Sequence, residues 1–97
     1  MLDLLHYEDF VPHVNSSFHV CFSDDVQHDF TLVSVVNKPL PKQEQFVLTF
    51  RAPADAPKQQ WLCQVSHPVL GEAGLFLVPV EANETGVIFA AIFNRPL

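Results

Sequence analysis

The residues of this chain with the most versatile chemistry are its five histidines, because imidazole binds metals and exchanges protons near neutral pH. They are His6, His13, His19, His28 and His67. No two of them stand two, three or four positions apart, so the usual spacing of paired histidine ligands is missing. His19 and Cys21 share one face of a predicted strand, but two ligands do not form a metal site. We therefore predict no metal and no cofactor.

A cysteine or serine nucleophile needs a base within hydrogen-bonding reach. Cys63 and His67 are separated by four residues of predicted strand, which places their backbones roughly 13 Å apart. Cys63 also alternates with Trp61 and Val65, the pattern of a small core residue. Ser66 has no nucleophile-elbow motif around it. We expect no enzymatic activity, and a hydrolase or metal-dependent enzyme is kept as a third hypothesis.

His67 has a simpler structural interpretation. It precedes Pro68, which favours an extended backbone at this position. We expect its side chain to cap the end of a strand by hydrogen-bonding a turn. In a second hypothesis His67 and Trp61 flank a small apolar ligand at the mouth of a barrel.

Negative charge dominates the polar residues, since eleven acids stand against five bases and the net charge is −6. Phosphate backbones are bound by Lys and Arg, and the five that are present are scattered along the chain. Binding to nucleic acid or to an anionic membrane surface is therefore disfavoured. Asp24, Asp25 and Asp29 lie near His28, but their spacing is not that of an EF-hand loop, so we predict a solvated turn.

The apolar residues do not form a membrane-spanning run of about 18 residues. The acidic start MLDLLHYEDF is also unlike a signal peptide, which begins with basic residues. We therefore expect a soluble, cytoplasmic protein. In such a compartment Cys21 and Cys63 are expected to be free thiols.

The elements that position these residues are mainly strands. The helically spaced residues Leu4, Tyr7, Val11 and Val14 predict one short helix within about 3–14. Its N-cap would be Asp3 or, for a single turn that tolerates Pro12, Asp9. Asn15 is expected to end it in a left-handed conformation. Six short alternating segments follow, including SFHVCF, QFVLTFR and QWLCQVSH, with turn signals between them. In QFVLTFR the alternation predicts that Phe46, Leu48 and Phe50 face inward. We predict a single domain over 1–97, with six antiparallel strands within about 17–94 forming a small barrel or sandwich.

The last predicted hairpin, LFLVPVEANETGVIFAAIF (75–93), is apolar on both alternating faces. An antiparallel sheet commonly leaves one face polar and solvated, so this hairpin needs a second cover. The N-terminal helix is one candidate cover, and another copy of the chain or a protein partner is the other. Pro79 is suited to an edge or a bulge. For a protein interface we single out Leu75, Leu77, Ile88 and Ile92, with Trp61 as an anchor.

Several segments together resemble a family of small bacterial proteins of unknown function. Its pattern runs F-x-x-x-x-G-x-x-F-x-V, then F-x-L-x-F-x-G-P, then H-P-x-L-G-x-x-x-L-F-L-V-P-V, and it closes with A-x-F-N. The matching residues here are Phe10, Phe18, Val20, Phe46, Leu48, Phe50, Pro53, His67, Pro68, Leu70, Gly71, Leu75 to Val80, Ala91, Phe93 and Asn94. Asn15 and Ala52 stand where the family has Gly. The resemblance implies the fold and an association with phage-tail-like assemblies, but no activity.

The leading functional hypothesis is a non-enzymatic protein–protein interaction or structural module. It would self-associate or dock onto a larger bacterial or phage-tail-like assembly. The apolar hairpin and the absence of catalytic spacing motivate it.

Overall fold

The structure, a computed structural model, describes residues 2–97. It consists of one antiparallel sheet preceded by a short helical segment. The strands are β1 (Ser17–Ser23), β2 (Val26–Asn37), β3 (Gln43–Ala52), β4 (Trp61–His67), β5 (Gly71–Asn83) and β6 (Gly86–Pro96). The predicted fold class, mainly β with six antiparallel strands and one short N-terminal helix, is confirmed.

The N-terminal segment is built from three short turns of helix. They are a 3₁₀ turn at Leu2–Leu4, the α-helix α1 at Tyr7–Phe10 and a second 3₁₀ turn at Val11–His13. The backbone N–H of His6 donates to Asp9 Oδ2 at 2.9 Å, which satisfies a backbone donor at the start of α1. The helix is therefore much shorter than the apolar spacing alone suggests.

The capping residues of this segment differ from those predicted. The N-cap of α1 is His6, so neither Asp3 nor Asp9 holds that position, and Asp9 instead lies inside the turn. Pro12 occupies one of the first two positions of the 3₁₀ turn Val11–His13, where its missing N–H is tolerated. Asn15 has a φ of 76°, the left-handed conformation that was expected to end the segment.

The sheet closes on itself. Its strand order is β1-β2-β3-β6-β5-β4, and β4 pairs back with β1 from His19↔Ser66 to Cys21↔Gln64. The strands therefore form one ring rather than two stacked sheets. Alternate side chains point into the ring and out of it, because successive residues of a strand face opposite sides.

The interior of the ring is filled with aromatic side chains. Its largest fully buried residues include Phe10, Phe18, Phe30, Phe46, Phe50 and Phe89. Phe30 stacks on Phe89 with ring centroids 5.1 Å apart, and Phe46 stacks on Phe93 at 4.6 Å. As predicted from the alternation in β3, Phe46, Leu48 and Phe50 all point inward.

Both ends of the ring are closed by segments outside the sheet. At one end Phe10 of α1 packs between Phe46 and Phe93, with ring centroids 5.9 and 5.5 Å away. At the other end the loop 53–60 folds inward and buries Ala56, whose N–H donates to Pro53 O at 3.0 Å. Helix α1 therefore closes an end of the ring, and the 3₁₀ turn Leu2–Leu4 packs against β5. The outward-facing Phe76 and Ile92 of the last hairpin stay exposed.

Candidate protein-interaction surface

An apolar belt crosses the outer surface of five strands, and we define it as Val36, Val47, Leu62, Phe76 and Ile92. Cross-strand pairing places its members side by side: Leu62 opposite Phe76, Ile92 opposite Val47, and Val47 opposite Val36. The exposed fractions of Leu62, Ile92 and Phe76 are 66%, 64% and 52%. Side chains paired directly across strands are close enough to form one continuous surface.

The belt is unusual for the solvated face of an antiparallel sheet, where polar side chains are the norm. Single exposed apolar residues are common and need no explanation, whereas contiguous apolar patches mark contact sites. The strand register joins the members in two groups, Leu62 with Phe76 and Ile92 with Val47 and Val36, so they form a patch rather than a scatter. Ile88 lies on the same outward face of β6 and is half-buried.

A cleft interrupts the belt between Phe76 and Ile92, because β5 and β6 separate there. Their pairing runs only from Val78↔Ala90 to Asn83↔Gly86. Beyond that point β5 pairs with β4 and β6 pairs with β3. The resulting cleft has a volume of about 250 Å³. Its lining includes Asp3, Gly74, Phe76, Ile92 and Arg95.

A charged cluster fixes the N-terminal segment at one end of this cleft. Glu44 and Arg95 are direct cross-strand partners, and Arg95 Nη2 lies 3.0 Å from Glu44 Oε1. His6 Nδ1 approaches the same carboxylate at 2.8 Å. The hydrogen bond from His6, followed by the charges of His6 and Arg95, lowers the pKa of Glu44. Arg95 also donates to the carbonyl oxygens of Asp3 and Leu5, so it ties the segment to β6.

His67 performs the turn-capping role that its position suggests. Its Nδ1 accepts the backbone N–H groups of Val69 at 3.1 Å and Leu70 at 3.3 Å. Because Nδ1 accepts, Nε2 carries the proton and donates to Ser16 Oγ at 3.1 Å. The Ser16 hydroxyl in turn donates to His13 O at 2.6 Å. Burial, and then the neighbouring His13, lower the pKa of His67, so the neutral ring is favoured.

Trp61 lies far from His67, at the opposite end of β4. The six residue steps between them span roughly 20 Å. A single small ligand cannot contact both, and the predicted ligand site is corrected in this respect. Trp61 Nε1–H instead donates to Phe22 O at 3.1 Å, and its half-exposed ring borders a hollow of about 190 Å³ with Pro57 and Gln59.

The side chains considered for catalysis and metal binding lie apart from one another, are buried, or form hydrogen bonds with neighbouring side chains. Burial raises the pKa of Cys63 to about 12, so this thiol is protonated and a poor nucleophile. Both cysteines are free. His19 lies between Gln27 Oε1 at 2.8 Å and Asp29 Oδ1 at 3.2 Å, and these hydrogen bonds raise its pKa. Within residues 2–97 no three His, Cys, Asp or Glu side chains are grouped to hold a metal ion.

The structure separates the predicted interface residues into two groups. Ile92 and Trp61 are exposed and Ile88 is half-buried on the outer face, whereas Leu75 and Leu77 point into the ring and are buried. The expectation that these two leucines face outward is corrected by the register, since Leu75 pairs with the buried Cys63. Phe76 takes the outward position instead.

Sequence reasoning missed four members of the belt: Val36, Val47, Leu62 and Phe76. The alternation in QWLCQVSH contained a signal for Leu62, because Leu62 falls on the face opposite to Cys63 and Val65, which are buried. No comparable signal existed for Val36. A register shift between Leu32 and Ser34 changes which residues of β2 face outward.

Comparison with known proteins gives one family match. The model of a domain of unknown function (DUF6916) matches residues 5–93, which is most of the chain. The match confirms that the chain resembles a family of unknown function, while the finer sequence pattern stays a prediction. No curated protein and no solved structure matches the chain. No helix within residues 2–97 is long and apolar enough to cross a membrane.

Proposed function

Since the chain belongs to the DUF6916 family, which carries no assigned function, we propose a function from its own surface: a non-enzymatic module that docks onto another protein through the apolar belt. The observation that carries the proposal is the alignment of apolar side chains along the outer surface of five strands, interrupted only by the cleft between Phe76 and Ile92. Burying apolar surface contributes about 25 cal/mol per Å², so covering this patch would drive association.

The charge of the chain favours a different protein over a second copy. The net charge is −6, and like-charged partners repel at the edge of an interface. The belt itself has no charged member. A partner with an apolar centre and basic flanking residues would match both features. Docking onto a phage-tail-like assembly stays a prediction.

Site-specific photo-crosslinking in the native host tests the proposal. A benzophenone amino acid would replace Phe76 or Ile92 on the belt, and Val69 in the β4–β5 turn would serve as the control. Val69 is equally apolar and is 71% exposed, but it lies outside the belt. We expect a discrete adduct from both belt positions and none from Val69, followed by direct binding between the purified chain and the partner identified by mass spectrometry.

Two outcomes would contradict parts of the proposal. Belt positions that give no adduct, or no more than Val69, would overturn the belt as a docking surface. An adduct of twice the chain mass of 10.9 kDa would identify a second copy as the occupant. The partner would then be the chain itself, and light scattering over a concentration series would show the oligomer.

A second candidate function is the binding of a small apolar ligand beside Trp61. The hollow that Trp61 forms with Pro57 and Gln59 favours it. The indole is held by its hydrogen bond to Phe22 O, so the ring is already oriented. Trp61 is the one tryptophan in the chain, and its fluorescence should shift when a hydrophobic probe is added. An unchanged spectrum at saturating probe would exclude the site.

A further inference from the structure

The cleft between β5 and β6 exposes two strand edges that face each other. Over Gly71–Leu77 β5 pairs with β4, and over Ala91–Pro96 β6 pairs with β3. In the part of the chain that the structure describes, no pair joins β5 to β6 across these two stretches. Successive backbone N–H and C=O groups of an antiparallel strand point alternately to its two sides. About half of the backbone groups in each stretch are therefore directed towards the cleft.

We infer that this cleft binds an extended peptide segment of the partner, which adds to the sheet as a strand. The inference rests on the proposed function and specifies how docking occurs. Unpaired strand edges recognise an extended backbone by forming the hydrogen bonds that the sheet lacks, while side-chain contacts select the sequence. Because Phe76 and Ile92 flank the cleft on the outer surface, a bound strand would make the belt continuous.

The side chains around the cleft define the chemistry of the peptide. Towards the paired end, Phe76 and Ile92 offer apolar contacts on the outer face. Towards the open end, Asp3 lines the cleft, and Glu72 lies two residues before Gly74 on the same outward face of β5. Arg95 does not offset these acids, because Glu44 pairs with it. The matching peptide has apolar residues at alternate positions and a Lys or Arg near the open end.

This charge pattern distinguishes the peptide from a second copy of the chain. A second copy has the same net charge of −6, with Asp3 in its own cleft and Glu72 on the adjoining outward face of its β5. A basic segment is attracted to Asp3 and Glu72, since opposite charges within about 4–6 Å favour association. The occupant that fits the cleft is therefore a basic, alternately apolar segment of another protein.

Amide hydrogen exchange of the free, full chain is the first test, and it needs no ligand. We expect the amides of 74–77 and 91–94 that face the cleft to exchange at least about a hundredfold faster than their neighbours that pair with β3 and β4, because unpaired amides need no opening step. Uniform protection across both stretches would mean that the edges are already paired, and it would overturn the inference.

Peptide binding is the second test. The probe is an acetylated, amidated octapeptide of alternating valine and lysine, titrated into the isotope-labelled chain and followed by NMR. We expect shifts and new exchange protection at 74–77 and 91–94. A peptide with glutamate in place of lysine should bind about tenfold more weakly, the combined effect of two surface ion pairs. The Glu72→Gln variant should lose part of that preference. Equal binding of the two peptides would contradict the assigned charge pattern.

A matched chemical control separates strand addition from simple apolar contact. The same octapeptide, N-methylated at alternate residues, keeps its side chains and loses the backbone donors along one of its two edges, so it cannot pair with both strand edges of the cleft. We expect it to show no binding. If it binds as well as the parent peptide, or if the parent peptide does not bind, strand addition is wrong. The belt proposal would still stand in that case, provided that Phe76 and Ile92 give photo-adducts.

Discussion

At the scale of single residues, His67 connects three parts of the chain through one buried ring. Its Nδ1 accepts from the turn after β4, its Nε2 donates to Ser16, and its ring packs against His13 at 4.8 Å and Phe18 at 4.5 Å. A protonated ring would place a second N–H against two backbone donors. The neutral form is therefore the one that the site accommodates, in agreement with the direction of its pKa.

This arrangement predicts that acid destabilises the fold through His67. Its pKa is lowered in the folded chain, so its contribution is present above the unfolded value of about 6.5 and is lost as the pH falls through the folded value. Urea denaturation between pH 7.5 and 4.5 should show this decline. His67→Gln, which retains an acceptor, should cost about 1–3 kcal/mol at pH 7.5. If wild type and variant lose stability in parallel with falling pH, His67 is not the responsible group.

Gly86 gives a second prediction at this scale, since it lies where β6 approaches the backbone of β3. A Cβ at this position would be 2.6 Å from Ala52 O, closer than van der Waals contact permits. We expect Gly86→Ala to lower the free energy of unfolding by about 1–3 kcal/mol through strand displacement. Gly74→Ala is the control, because its Cβ would meet only Leu62 Cδ1 at 3.7 Å. Equal costs for the two variants would rule out this steric explanation.

At the scale of elements, β5 and β6 show how far the sequence determined the surface. Where one face is apolar, as in β3, alternation predicted the inward positions of Phe46, Leu48 and Phe50. Where both faces are apolar, as at Leu75–Leu77, the alternation of apolar and polar residues does not show which face is buried, because either register would bury apolar side chains. The choice is made by the partner strand, because Cys63 and Leu75 are paired and share the buried face. The splayed cleft was also beyond prediction, since it depends on which partner each half of β5 selects.

A pair of substitutions tests this assignment of faces. Leu77→Ala should cost about 2–5 kcal/mol, because it removes a fully buried side chain. Ile92→Ala should change the free energy of unfolding by no more than about 0.5 kcal/mol, because its side chain is exposed. Both values come from urea denaturation of the purified variants. The reverse order would mean that the outer and inner faces of the hairpin are exchanged.

At the scale of the whole molecule, the ring is completed by segments that do not belong to the sheet. Arg95 and Glu44 hold the N-terminal segment, and His67 holds its end through Ser16. These polar contacts position Phe10 above the aromatic interior. Within residues 2–97 no segment buries the belt, whose members Leu62, Phe76 and Ile92 are exposed. The two ends of the ring are therefore closed, whereas its outer surface stays apolar. The proposed docking surface and the core are thus separate, and they can be changed independently.

The last prediction follows from this division between closed ends and open belt. Phe10→Ala should lower the free energy of unfolding by about 3–5 kcal/mol, because Phe10 is fully buried between Phe46 and Phe93. Val11→Ala, one residue further on and 48% exposed, should have little effect. Hydrogen exchange should show the loss of protection in all six strands, since one buried hydrophobic cluster contains side chains of every strand. A loss of protection confined to the N-terminal segment would show instead that the ring of strands is stable without Phe10 packed at its end. The segment could then leave the end of the ring without unfolding the sheet.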